Sequence, residues 1–87
     1  MKFNERLKEL RLSRELTQEE FAKRIGISRS AVGMYEKGKR EPDFETLELF
    51  ADFFNVDMNY LLGKTDANTD ISSIKNIVTI HKKKIPV

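Results

Sequence analysis

The chain has 87 residues, 39% of them hydrophobic and 34% charged, no cysteine, and a net charge of +2. That length suits one domain burying about 60–65% of its unfolded surface, and the composition fits a soluble globular fold. A run of about 18 apolar residues and a signal-peptide core are both missing, so no membrane is expected as partner, and no disulfide or thiolate metal site is possible; a reducing cytoplasm is the expected location.

The first predicted element is a helix capped by Asn4 and running to about Glu15. Phe3, Leu7 and Leu10 form its apolar stripe, while Glu5, Arg6, Lys8 and Glu9 are expected to face water. Arg11 continues the apolar side, which is an odd place for a charge. Thr17 then caps a second helix, and Glu20 three residues later completes a capping box. Phe21, Ala22 and Ile25 recur at helical spacing before Gly26, where a chain leaving a helix needs positive φ. Ala22 is small where two helices have to cross closely. Ser28 caps a third helix with Ala31, Val32 and Tyr35 on its inner face, and Gly38 follows as its C′ residue. Two short helices joined by a turn of about three or four residues form the arrangement that reads DNA.

Pro42 marks the loop from Lys39 to Pro42. Asp43 caps a fourth helix with Phe44, Leu47, Phe50, Ala51 and Phe54 at core spacing, and Asn55 is a left-handed terminator. Asp57 caps a short fifth helix from Met58 to Leu62, stopped by Gly63. Residues 1–63 thus read as an all-α, five-helix domain, and residues 64–87 as a linker and tail. In the tail, Ile71, Ile74, Ile77 and Val78 suit a helical face, whereas Val78, Ile80 and the β-branched density suit an extended segment after Asn76.

Charge is segregated along the chain. Between residues 23 and 40 stand Lys23, Arg24, Arg29, Lys37, Lys39 and Arg40 against the single acid Glu36. Between residues 41 and 57 stand Glu41, Asp43, Glu45, Glu48, Asp52 and Asp57, with no base. One basic face on a near-neutral domain suffices for phosphate, and the acidic part is expected to point away from DNA.

The stretch holding Gln18, Ala22, Gly26, Ile27, Ser28, Val32, Tyr35, Glu36 and Gly38 resembles the helix-turn-helix of the Cro/CI-type, XRE-like phage repressor family. The resemblance extends to Arg11 and Leu12 upstream and to Pro42, Leu47, Val56 and Leu61-Leu62-Gly63 downstream, covering residues 4–63. It implies a lambda-repressor-like bundle, a buried Arg11–Glu36 ion pair, and a backbone contact from Gln18. Pro86-Val87 resembles the segment that opens a LexA-like peptidase and dimerisation domain in two-domain phage repressors.

The exposed side of the third helix is expected to carry Arg29, Ser30, Gly33 and Met34 to base edges. Arg29 can bridge guanine O6 and N7 or hold a phosphate, and Met34 can meet a thymine methyl or remain plainly exposed. Gly33 brings no reading side chain but permits close approach. Phosphate contacts are expected from Thr17, Gln18 and Ser28 at helix starts, and from Lys37, Lys39 and Arg40 in the loop. Lys82, Lys83 and Lys84 offer a further non-specific contact. Met58, Tyr60 and Leu61 are the candidate dimer surface.

Catalysis has no support: His81, the single histidine, has no cysteine partner, and no phosphate-cradling glycine loop or nucleophile elbow is present. No cofactor and no metal are expected. The leading expectation is a repressor binding a pseudo-palindromic operator as a homodimer. The alternatives are an antitoxin, and a helix-turn-helix interaction module that never touches DNA.

Overall fold

The computed structural model describes residues 1–65, all of whose regular structure is helical: α1 (Phe3–Ser13), α2 (Gln18–Ile25), α3 (Arg29–Glu36), α4 (Phe44–Phe54) and α5 (Met58–Leu61). The N-caps are where the local chemistry puts them. Thr17 Oγ1 accepts from Glu20 N at 3.0 Å, Ser28 Oγ from Ala31 N at 3.0 Å, and Asp43 Oδ1 from Thr46 N at 2.8 Å. Each bond satisfies a first-turn N–H that has no carbonyl within its helix. The stops are equally local. Gly26 (φ 85°), Gly38 (φ 75°) and Asn55 (φ 56°) turn left-handed after α2, α3 and α4. After α3, Lys39 N donates to Met34 O at 2.9 Å, closing the Schellman ring.

α1 departs from the expected boundaries. It begins at Phe3 after Lys2, whose N–H donates to Glu5 Oε1 at 2.9 Å, so Asn4 lies inside the first turn and is not the cap. It ends at Ser13, because Glu15 is itself left-handed (φ 57°) and begins the turn into α2.

The core is built on Phe21. Its ring lies 5.7 Å from Phe50, 5.4 Å from Phe53 and 5.2 Å from Phe54, which locks α2 onto α4. Tyr35 meets Phe50 edge-on at 5.6 Å and brings α3 to the same ring. Leu7, Val32 and Leu61 are fully buried around this cluster, and Ala22 is buried at the α2–α3 crossing. Leu16, in the turn between α1 and α2, joins the core although no periodic pattern flags it.

Three further expectations are corrected. Phe44 is 65% exposed, because the first helical position of α4 lies outside the packed layer. Arg6 is buried rather than solvated, its guanidinium 3.8 Å from the centroid of the Tyr60 ring. A cation stacked on an aromatic face retains electrostatic compensation when it leaves water. Leu61 is fully buried, so it cannot supply a dimer surface; it packs inward under α1 and α4. The extended segment after Asn76, His81, the tail lysines and Pro86-Val87 lie outside the described residues.

Candidate nucleic-acid interface

α3 is short, so its position depends on what grips its two faces and its end. Ala31, Val32 and Tyr35 are buried and hold the inner face. The end is gripped by Glu36, which is also buried. Arg11 Nε donates to Glu36 Oε2 at 2.7 Å, and a terminal Arg11 nitrogen donates to Oε1 at 3.1 Å. The other terminal nitrogen donates to Leu16 O at 2.7 Å, so one guanidinium ties α1, the turn before α2 and the end of α3 together. This forked pairing meets the planar carboxylate in the geometry that favours arginine over lysine.

Two residues complete the grip. Gln18 Nε2 donates to Glu36 Oε1 at 3.1 Å, linking the first residue of α2 to the last of α3. Asn4 Nδ2 donates to Glu36 O at 3.4 Å. The resemblance to phage repressors implies the Arg11–Glu36 pair but neither of these. Asn4 reads locally as a helix cap, and the resemblance to phage repressors implies a backbone contact for Gln18. Partners 32 and 18 residues away leave no mark in periodicity.

The outer side of α3 opens on a shallow concavity of about 300 Å³ lined by Gln18, Arg29, Ser30, Gly33, Met34, Lys37 and Lys39. All four residues expected at base edges lie in this lining, together with two of the three expected loop cations. Three bases and no carboxylate face the groove, so its field is positive. Arg29 and Ser30 are exposed and Met34 is 38% exposed, so their side chains are free to reach a partner. Arg40 sits off the groove, its guanidinium 5.4 Å from the Tyr35 ring centroid. It is exposed and lines a second concavity, between the start of α1 and the loop after α3.

Thr17 and Ser28 are exposed but do not line the groove. Both hydroxyls are occupied as caps, so what these helix starts offer an anion is their remaining first-turn N–H groups. At α2 the offer is weakened by Glu19 and Glu20 in the first turn. Glu20 is held ionised to lower pH than usual, first by the hydrogen bond from the Thr17 backbone N–H and then by the Thr17 hydroxyl.

Among the described residues no group of three or more His, Cys, Asp or Glu could hold a metal ion, and no helix is long and apolar enough to cross a membrane. The second concavity, about 570 Å³, lies between the start of α1 and the loop from Lys37 to Pro42.

A gripped short helix whose outer side lines a basic groove defines a helix-turn-helix protein, and the chain belongs to that family: the helix-turn-helix family description matches residues 7–61. The chain is 34% identical over 86 residues to the HTH-type transcriptional activator BcrR of Enterococcus faecalis, covering 90% of this chain and 42% of that protein. It is 37% identical over 68 residues to the cryptic phage CTXphi transcriptional repressor RstR of Vibrio cholerae, covering 78% of this chain and 61% of that one. It therefore spans about half the length of these two relatives. In three dimensions it resembles the restriction-modification controller protein C.AhdI of Aeromonas hydrophila, with a TM-score of 0.62 and 34% identity over 68% of this chain and 89% of that one. The five-helix, all-α architecture of the described residues and the resemblance to phage repressors are therefore both established.

Proposed function

We propose that this chain is a sequence-specific, DNA-binding transcriptional repressor that places α3 in the major groove and occupies a two-fold operator as a homodimer. The observation that carries the reading is the groove of Gln18, Arg29, Ser30, Gly33, Met34, Lys37 and Lys39: readers and cations together, with no acid among them. Arg29 stands at the first position of α3, the end that helix-turn-helix proteins insert, and takes a guanine. Ser30 and Met34 flank it. Lys37, Lys39 and Arg40, with the first-turn N–H groups that follow the caps Thr17 and Ser28, take phosphates.

Residues 1–63 form the DNA-binding domain, and residues 64–87 serve as a linker and tail. Repression needs only occupancy of the operator, so this reading requires no catalytic step, metal or cofactor. The protein acts where bacterial or phage DNA is, in the cytoplasm. RstR's name as a phage repressor supports the direction of regulation.

One helix reads too few base pairs to be selective in a genome, and a two-fold dimer doubles the site. With Leu61 buried, half-buried Met58 and Tyr60 are the candidates left at the dimer surface.

The test is binding to random-sequence duplex at several salt concentrations, followed by selection from random oligonucleotides. The expected result is affinity that falls steeply with salt and an enriched sequence with two-fold symmetry. No binding at low salt would remove DNA as the ligand and favour the protein-interaction alternative. Binding with no enriched sequence would overturn sequence-specific repression.

A further inference from the structure

Gly33 is the glycine whose backbone does not ask for one. Gly26, Gly38 and Gly63 all have positive φ, whereas Gly33 lies within regular α3, where glycine costs about 1 kcal/mol relative to alanine. The protein does not need the space either. A Cβ built on Gly33 would meet only Gln18 Oε1, at 4.0 Å, an ordinary contact distance. The gap thus lies open on the groove side, and the nearest polar atom beside it belongs to α2.

The chemistry of that atom is decided by its neighbour. A carboxylate can only accept, so the Gln18 atom 3.1 Å from Glu36 Oε1 is the donor Nε2. Glu36 is in turn fixed by two bonds from Arg11. The amide cannot flip without setting two acceptors against each other. Oε1 is therefore presented beside Gly33 as a fixed acceptor, in a groove that Arg29, Ser30, Met34 and Lys37 also line.

We infer that Gln18 is a specificity-determining residue: its Oε1 reaches past Gly33 and accepts a hydrogen bond from the exocyclic amine of an adenine or cytosine in the major groove. Those amines are the donors that bases present there, while guanine O6 and thymine O4 are acceptors and would repel it. Gln18 thus does the work of the side chain that Gly33 lacks, and a phosphate, which offers no donor, would leave this oxygen unused. The inference rests on the proposed function.

The experiment is a competition assay on the selected operator, with all four bases at every position. It compares the unchanged protein with Gln18→Ala and with Gln18→Leu, which keeps the bulk of the side chain without its acceptor. Circular dichroism and a urea midpoint show that each variant is folded. The expected result is one position per half-site, next to that read by Arg29, where adenine or cytosine is preferred. Both variants lower that preference about three- to tenfold, as for one lost hydrogen bond, and lower the preference at the Arg29 position less; equal losses at both positions would make Gln18 only a support of α3 through Glu36 and overturn the inference. Folded variants with every base preference intact and affinity reduced by one uniform factor would overturn the inference and make Gln18 a backbone contact. An unchanged protein with no base preference anywhere would instead overturn the proposed function, and the inference with it.

Discussion

Arg11 shows how one side chain organises a functional surface that it does not touch. It makes three hydrogen bonds, two to Glu36 and one to Leu16 O, and both members of the ion pair are buried. Bringing two charges out of water offsets much of their attraction, so the pair is better understood as positioning α3 than as adding net stability. Removing one member is different, because the other is left buried and uncompensated. Arg11→Ala or Glu36→Ala is expected to cost roughly 3–5 kcal/mol in urea denaturation, while the double replacement Arg11→Met with Glu36→Leu recovers much of that loss. Recovery of stability without recovery of DNA affinity would separate the positioning role from the energetic one. Arg29 belongs to the same scale. It carries a planar donor fork, and a bidentate pair with guanine is worth about 1–3 kcal/mol of discrimination. Arg29→Ala is expected to lose preference for a G·C pair at one position per half-site while retaining most non-specific affinity. Arg29→Lys restores charge but only part of the preference. Base preferences measured position by position check this, and a uniform loss would mean a phosphate contact.

The elements are short, and their ends matter correspondingly. α2 and α3 have eight residues each, which is too few for a helix to stand alone in water. Their caps and packed faces supply what length does not. Thr17→Ala is expected to cost about 1 kcal/mol in thermal or urea unfolding. Two caps are also sensitive to acid. Hydrogen bonds from the Thr17 N–H and hydroxyl hold Glu20 below its usual carboxylate range, and bonds from the Thr46 side chain and then its backbone N–H do the same for Asp43. A carboxylate whose folded pKa is depressed contributes stability that is complete above its unfolded pKa and is lost as pH falls through its folded one. Stability is therefore expected to fall as pH drops below the ordinary carboxylate range, and the fall should be shallower in a Glu20→Gln, Asp43→Asn protein. Urea midpoints between neutral and strongly acidic pH check the sign. The proposed role of the loop after α3 rests on charge instead. Lys37, Lys39 and Arg40 are exposed, so neutralising any one should weaken binding to all sequences alike and reduce the salt slope by about one. Unchanged slopes in all three single variants would take this loop off the DNA backbone.

For the whole molecule, the proposed dimer depends on what α5 leaves exposed. Leu61 fills the core, Tyr60 lies under Arg6, and Met58 is half-buried, so α5 shows a small partner surface. A surface this limited favours assembly on DNA, where two adjacent half-sites raise the effective concentration of one copy beside the other. Two copies per selected operator are expected at saturation, with cooperative filling, and Met58→Lys should reduce the cooperativity while leaving half-site affinity near its original value. Analytical ultracentrifugation of the complex gives the stoichiometry. A saturated operator holding one copy would exclude the dimer.

What the chain order alone determined was most of what acts within about four residues, the start and end of α1 excepted. The caps Thr17, Ser28, Asp43 and Asp57, the left-handed exits at Gly26, Gly38 and Asn55, and the inner faces of α2 and α3 all came from short-range hydrogen bonding, backbone sterics and helical spacing. The Arg11–Glu36 pair, 25 residues apart, became visible only through the resemblance to phage repressors. Tertiary structure decided the rest, because burial depends on what another element brings. Arg6 went inside because α5 brings the Tyr60 ring over it, whereas Phe44, at the start of α4, stays 65% exposed. The resemblance implies only a backbone contact for Gln18, and folding brings the end of α3 to it. The carboxylate of Glu36 then chose which end of the amide faces the groove.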